Sequence, residues 1–455
     1  MGIRCDAQFF RDEFMKLAVI GSGISGLSAA WLAHRDPSGD FDVRLFEKDS
    51  RIGGHAHTVT AEFGTESIAV DSGFIVYNEL NYPNLVNMFD VLNVETIASD
   101  MSFGVSLRGG ELEYEGSLGG LFAQKKNLLN PRFWSMLKGL VKFYRTAVHE
   151  QHNGPADETL GAFIDRCNLP AAFVEDHLLP MGAAIWSCPS DTMRNYPVRA
   201  FIQFMENHRL LDFTGRPLWR TVKGGSRSYV NILKKALGER ISTGVTITGI
   251  RREAGGVILS IDGEGDVWFD RVIMAAHADE SLALISDAHR DETNILSGFT
   301  FQPNHVVLHS DTALMPQAQK AWAAWNYETL SSGESADVCV TYWMNKLQAI
   351  DNDYPLFVTL NPVRMPDKAL VHQTFSYDHP VFDTAAIAAQ QRLPEIQGRD
   401  NIYWCGAWTA NGFHEDGLKS AVAVMKTLGV TIPWASETDG YPKHGAGAIQ
   451  QIKAG

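Results

Sequence analysis

The chain has 455 residues, 45% of them hydrophobic and 20% charged, and 53 acidic side chains against 39 basic ones give a formal net charge of −14. Such a composition describes a globular protein long enough for two domains, and the acidity excludes nucleic acid as a partner, because phosphate backbones are held by basic patches. The five cysteines (Cys5, Cys167, Cys188, Cys339, Cys405) are odd in number, widely spaced and free of a Cys-x-x-Cys pair, which predicts a reducing compartment and no metal site.

Residues 1–14 lack the basic start and apolar core of a signal peptide, and no stretch reaches the roughly 18 apolar residues of a membrane span. A cytoplasmic protein is expected, with 1–14 an N-terminal extension ahead of Met15. The first folded unit reads Lys16-Leu-Ala-Val-Ile-Gly21-Ser-Gly23-Ile24-Ser25-Gly26-Leu, a strand, a glycine turn and a helix, and a second strand follows at Asp42-Val-Arg-Leu-Phe-Glu47. This spacing predicts a dinucleotide-binding βαβ unit. Gly21 permits the turn, Gly23 lets backbone approach a pyrophosphate at the helix N-terminus, and Gly26 lets the helix close on the sheet. Glu47, with Lys48 beside it, is placed to accept hydrogen bonds from an adenosine ribose and would repel a 2′-phosphate, which leaves FAD or NAD and excludes NADP.

Three further segments argue for FAD. Arg51-Ile-Gly53-Gly54-His55-Ala-His57-Thr58 follows Glu47 closely, a hairpin then ends in Val70-Asp71-Ser-Gly73-Phe74, and Ile402-Tyr-Trp-Cys-Gly406-Ala407 precedes His414-Glu415-Asp416-Gly417-Leu418. The last reads as a buried strand, a loop and a helix capped by Asp416. Its N-terminus would offer amides to the flavin N1–O2 edge, where negative charge develops on reduction.

The glycine fingerprint, the Arg51-x-Gly53-Gly54 and Asp71-x-Gly73 steps and the Gly406…Gly417 segment resemble the flavin amine-oxidase-like superfamily, which includes amine oxidases, phytoene desaturases and fatty-acid double-bond isomerases. More narrowly, Met181-Gly-Ala-Ala-Ile-Trp-Ser187, Trp219-Arg-Thr-Val-Lys-Gly-Gly-Ser-Arg227, Tyr342-Trp-Met-Asn-Lys-Leu-Gln348 and Gly412-Phe-His-Glu-Asp-Gly-Leu418 resemble bacterial FAD-dependent proteins encoded beside cyclopropane-fatty-acyl-phospholipid synthases. The resemblance implies lipid acyl chemistry, and it implies that backbone at Val245 lies against adenine. His55 stands where many members carry a second arginine and Ala407 where many carry glutamate, so the ribityl and phosphate contacts must differ in detail. No cysteine stands where amine oxidases attach flavin covalently, so noncovalent FAD is expected and Cys405 reads as a small buried strand residue.

The predicted fold is α/β, a Rossmann-like FAD-binding domain interrupted by an α+β substrate domain with an antiparallel sheet. Residues 15–75, 220–295 and 395–432 form the first, 76–219 and 296–394 the second, and 433–455 a loose tail. The FAD-binding part is expected to include a helix from Ser226 to Leu237, a strand over Gly244–Gly249 and a hairpin across Asp262-Gly263. The substrate part is expected to be mainly helical from 76 to 219, with strands at 303–310, 321–328, 337–345, 355–361 and 370–376.

Aromatic residues gather in the substrate part: Phe201, Phe204, Trp186, Trp219, Trp325, Tyr342 and Trp343. Together they predict an apolar tunnel beside the isoalloxazine. Residues 121–145 carry six cations and no acid, interleaved with Phe, Trp and Leu at helical spacing. That pattern fits an amphipathic helix covering the domain or an interfacial helix at the inner face of a membrane. Candidates for proton handling are His55, Lys223, Tyr342, His414 and Glu415, with His277 reading as a cofactor-shell residue. The sequence thus predicts an FAD-dependent oxidoreductase for a hydrophobic or lipid substrate, most directly a fatty acyl chain. An amine oxidase and a non-catalytic lipid-binding flavoprotein are the alternatives.

Overall fold

Five parallel strands form the sheet that positions the site, in the spatial order Ile241–Thr243, Phe41–Glu47, Met15–Ile20, Arg271–Met274 and Ile402–Trp404. The computed structural model describes residues 14–155, 157–186, 190–212, 215–330 and 339–434. Residues 1–13 of the expected extension, 435–455 of the expected tail, Cys5, Cys188 and Ser187 lie outside the described residues. Strand Met15–Ile20 sits at the centre, and the chain leaves it to one side through Phe41–Glu47 and to the other through Arg271–Met274. In open parallel sheets the crevice at the carboxyl ends of the strands where the winding reverses is where ligands bind. The glycine turn after Ile20 stands at that point.

Two helices cover one face. Ile24–His34 is apolar nearly all round, and ten of its eleven residues are buried, as expected of a helix enclosed on every side. It packs against His414–Thr427, the last helix described. An added Cβ at Gly417 would come within 2.8 Å of Ile24 Cγ2 and Ser25 Oγ, so this glycine sets how closely the two helices approach.

The larger sheet has seven strands, in the order Val371–Val381, Thr300–His309, Phe357–Leu360, Cys339–Trp343, Trp325–Glu328, Phe103–Leu107 and Leu112–Glu115. It is antiparallel except where Trp325–Glu328 runs parallel to Phe103–Leu107. Two of its strands thus come from the region expected to be mainly helical. The strand expected over Gly244–Gly249 is divided. Ile241–Thr243 extends the parallel sheet, and after Gly244 turns at φ +68° a new strand, Ile247–Glu253, begins a three-stranded antiparallel sheet. The hairpin across Asp262-Gly263 and the helix ending at Leu237 are present.

Asp71 clasps the parts together. Its buried carboxylate accepts hydrogen bonds from Ser226 N (2.9 Å), Ser226 Oγ (2.7 Å), Thr58 Oγ1 (2.5 Å) and Gln348 Nε2 (3.1 Å), and its amide donates to Gln348 Oε1 (2.9 Å). Three segments separated by more than a hundred residues meet there. Asp71→Ala would leave several buried donors unpaired, and a loss of about 3–5 kcal/mol of stability is expected from the usual cost per group. Denaturant titration of the purified variant checks this; an unchanged midpoint would remove Asp71 as the clasp.

Candidate functional site

A cavity of about 810 Å³ follows the carboxyl edge of the parallel sheet and continues under the seven-stranded sheet. At its first end the glycine turn forms a cradle. Gly21 adopts φ +99°, and a Cβ there would stand 2.9 Å from the Ala275 carbonyl oxygen. A Cβ at Gly23, by contrast, would meet no protein atom within 4 Å, and no side chain caps the helix that begins at Ile24. The helix N-terminus therefore presents free amides and the positive end of its dipole to an open space shaped for a phosphate. Gly26 does not reach the cavity, since a side chain there would overlap the Gly21 carbonyl.

Glu47 borders the same end. Its carboxylate accepts from Ser22 N (2.9 Å), Ser22 Oγ (2.6 Å) and Asp49 N (2.9 Å), which fixes it at the rim with lone pairs left for an incoming hydroxyl. Lys48 pairs with Glu280 at 2.5 Å beside it, and Val245 donates its amide to the Glu47 carbonyl (3.0 Å). Further along, Ile24, Ser25, Gly54, His55, Gly73, Phe74, His277, Gly406 and Ala407 line the cavity.

Histidines crowd the middle. His55 lies 5.5 Å from His379 and 5.0 Å from Tyr377 between ring centroids. His277 stacks on Phe301 (4.2 Å), and His414 stacks on Phe74 (3.8 Å) while Nε2 shares a 2.6 Å hydrogen bond with Tyr229 Oη. Tyr377 Oη is bonded to His57 Nδ1 and Ser72 Oγ, each at 2.7 Å. Burial disfavours the charged imidazolium: it brings His379 and His57 down to about 4 and His414 to about 3, and with the Arg51 guanidinium nearby it holds His55 well below the ordinary value. His55, His57, His379 and His414 are therefore neutral at pH 7. His55 Nε2 is buried with no hydrogen-bond partner among the described residues, so it awaits one from the cavity.

Beyond the histidines the chamber is apolar. Trp325 and Tyr342 are cross-strand neighbours whose rings meet edge to face at 5.0 Å, and Met101, Ile185, Trp186, Trp219, Val306, Val358 and Leu360 complete the walls.

The family model for "flavin containing amine oxidoreductase" matches residues 24–310. The chain belongs to the flavin-containing amine oxidoreductase family. No curated protein gives a significant match. Among solved structures, the fold is similar to a candidate protoporphyrinogen oxidase of Exiguobacterium sp. 255-15 (18% identity, 91% of this chain and 98% of that one, TM-score 0.65). It is likewise similar to a fatty acid isomerase of P. acnes that produces CLA (16%, 91% and 98%, TM-score 0.62) and to cyclohexylamine oxidase of Brevibacterium oxydans IH-35A (14%, 91% and 100%, TM-score 0.62).

The cofactor of the family is a flavin, and the residues fit its dinucleotide form, FAD. Open space at Gly23, the uncapped helix, the fixed Glu47 carboxylate and the unpartnered His55 Nε2 lie along one continuous cavity. Cys405 is fully buried in the nucleotide core, its thiol pushed up to about 12 by burial, and borders no part of the cavity.

Several residues expected at the site stand elsewhere. Thr58, Asp71 and Gly53 brace the cavity from behind, and Gly417 and Leu418 pack the helix pair. Asp416 is the third residue of its helix, not its cap, and accepts from Phe413 N (3.0 Å) and Asn411 N (3.2 Å). Lys223 projects into solvent and pairs with Glu95 at 2.8 Å. Glu415 accepts from Asn84 N (3.1 Å), Asn84 Nδ2 (2.7 Å) and Leu85 N (3.0 Å), so it brackets the start of helix Pro83–Leu92 and does not border this cavity. Trp343 faces away from its neighbour Tyr342, against Trp322, because successive strand residues point to opposite faces. Phe201 and Phe204 lie behind Trp186, with Phe204 stacked on Phe413 at 5.1 Å.

Tyr377, His379 and Phe301 line the cavity unannounced by any motif. The alternation Phe375, Tyr377, His379 along one strand was the available signal, a row of rings on one face.

Glu47→Ala is expected to weaken FAD binding by about 1–3 kcal/mol through loss of ribose hydrogen bonds. Gly23→Val should leave the apoprotein melting temperature unchanged, since no protein atom opposes the side chain, yet abolish flavin retention; calorimetry and flavin fluorescence read the two effects separately. A histidine whose native pKa is depressed favours folding above its unfolded pKa of about 6.5, and that stability disappears as pH falls toward 4. The melting temperature should therefore drop between about pH 6.5 and 4, and His379→Gln should flatten the slope.

Proposed function

We propose that this flavin oxidoreductase acts on a fatty acyl chain, free or within phospholipid, by desaturation, double-bond isomerisation or a related oxidation beside a double bond or methyl branch, with FAD held noncovalently. The observation that carries the reading is the absence of any carboxylate among the described residues of the inner chamber. The acids bordering the cavity are Glu47, Asp49 and Glu280 at the adenosine end and Asp378, which is exposed between Tyr377 and His379 on its strand. An ammonium group buried in the chamber would find no counter-ion and would incur a desolvation cost of several kcal/mol, whereas each buried methylene gains about 0.8 kcal/mol.

When bound, FAD supplies a hydride acceptor at N5. The chain's own groups do the rest. The Trp325–Tyr342 corner and the walls at Met101, Val306, Val358 and Leu360 hold the acyl chain and exclude water, and neutral His55 offers Nε2 as a proton acceptor. The family description and the paired aromatic rings favour a second reading, oxidation of an uncharged amine.

An anaerobic screen separates the readings. Loss of flavin colour with unsaturated or methyl-branched acyl lipids, or double-bond migration without net bleaching, is expected. Bleaching by alkyl amines alone selects the second reading, and inertness toward both classes overturns the enzymatic proposal. FAD should be released on acid precipitation; flavin that stays with the pellet would contradict noncovalent binding.

A further inference from the structure

Five large apolar side chains of one segment stand in solvent: Leu118 (86% exposed), Leu128 (50%), Leu129 (89%), Trp134 (49%) and Val148 (37%). The other exposed large apolar residues described are scattered singly along the chain, which is ordinary for a protein surface. Exposed apolar residues that adjoin one another mark an interaction surface, and here Leu128 and Trp134 are in contact.

The segment is not the single helix that its periodicity predicts. A short helix Leu118–Leu121 and a 3₁₀ turn Lys125–Leu129 precede the helix Pro131–Glu150, with Asn130 capping the last through a 3.0 Å bond from Arg132 N. The long helix has two faces. Phe133, Met136, Phe143 and Ala147 turn inward to the core that also contains Trp186 of the cavity wall. Trp134, Lys138, Val141, Arg145 and Val148 follow at four- and three-residue steps, so they form one outer stripe. Phe122 lies 6.0 Å from Trp134, and the Trp134 indole N–H is satisfied by the Leu128 carbonyl at 2.9 Å. The exposed indole can therefore enter an apolar phase without losing a hydrogen bond to water.

The charges complete the picture. Of the six cations, Arg132 is neutralised by Glu175 (2.6 Å) and buried Asp176 (2.7 Å). Lys142 donates to the Cys167 carbonyl at 2.7 Å. Lys125, Lys126, Lys138 and Arg145 are exposed and form no ion pair among the described residues. In a chain of net charge −14, these four cations interleaved with protruding Leu and Trp complement an anionic surface. Leu118 and Leu129, which stand out singly by most of their area, suit a fluid acceptor better than a shaped protein groove.

We propose that the face built from Leu118, Lys125, Leu129, Trp134 and Lys138 docks on anionic phospholipid bilayers. Docking stands apart from the substrate reading, because binding needs no turnover. It would bring the enzyme to acyl chains that otherwise have to cross water.

The test is flotation of the full-length FAD-loaded protein with vesicles of phosphatidylglycerol and phosphatidylcholine, or of phosphatidylcholine alone. Preferential binding to the anionic vesicles, weakened by high salt, is expected. Since anionic leaflets attract each nearby cation, the triple variant K125E/K126E/K138E should bind at least about tenfold more weakly. L118S/L129S should also lose binding with its charge unchanged, and brominated acyl chains should quench wild-type fluorescence more than that of Trp134→Phe. All are surface changes, and FAD content reports that each variant is folded. Negligible wild-type binding, equal binding to both vesicle types, or binding retained by both variants overturns the proposal. So does self-association without lipid that the same variants abolish, which would assign the face to a second copy of the chain.

Discussion

Contact between the helices Ile24–His34 and His414–Thr427 governs the site, because it brings residues from the two ends of the chain onto one cavity. The approach depends on what is missing at Gly417, where a methyl group would press on Ile24 and Ser25. With the helices seated, the glycine turn after Ile20 lies beside Gly406 and Ala407, and both border the same space. The polar cradle for a dinucleotide is thus a product of apolar packing behind it, with ten buried residues on the first helix alone. Burial of its Ile, Leu and Trp side chains stabilises the helix that carries the cradle by roughly 1.5–3 kcal/mol each.

A second constraint is electrostatic. Three acids near the cavity bracket backbone, hydroxyl and amide donors instead of facing it. Asp71 holds Ser226 and Thr58, Glu415 holds the helix at Asn84, and Asp416 holds Phe413. Burial pushes Asp71 and Asp416 up to about 6 and Glu415 to about 7, while the hydrogen bonds pull each back toward the ionised form. With the acids engaged in this way, the imidazoles of His55, His379 and His414, held neutral by burial, and the Tyr342 and Tyr377 phenols face the cavity.

The βαβ unit was legible from sequence because glycines at fixed spacing have one physical explanation, and Gly21, Gly23 and Glu47 stand where that explanation puts them. The overall α/β plan was legible for the same reason, and Trp186, Trp219, Trp325 and Tyr342, expected to line an apolar tunnel from their aromatic count, border the cavity. Errors arose where a motif contains residues with different duties. Tyr342 and Trp343 are adjacent and equally aromatic, yet the period of a strand gives the cavity to one and the outer face to the other. His414 and Glu415 sit at one helix start, and only the first turns to the cavity. Tyr377 and His379 were invisible because they meet His55 across more than 300 residues of chain, a pairing fixed by the sheet order and by no local pattern.

The same logic explains why so acidic a chain has no carboxylate among the described residues of its inner chamber. Its negative charge is carried at the surface or tied up in brackets such as Asp176, which two arginines and the Tyr114 region enclose. Inside the chamber a fixed charge would stand without solvation, and a neutral histidine avoids that cost. Depressed imidazole pKa values are the thermodynamic counterpart of that arrangement. The desolvation that keeps these rings neutral comes from the same apolar walls that line the chamber, so burial and the low imidazole pKa values have one cause.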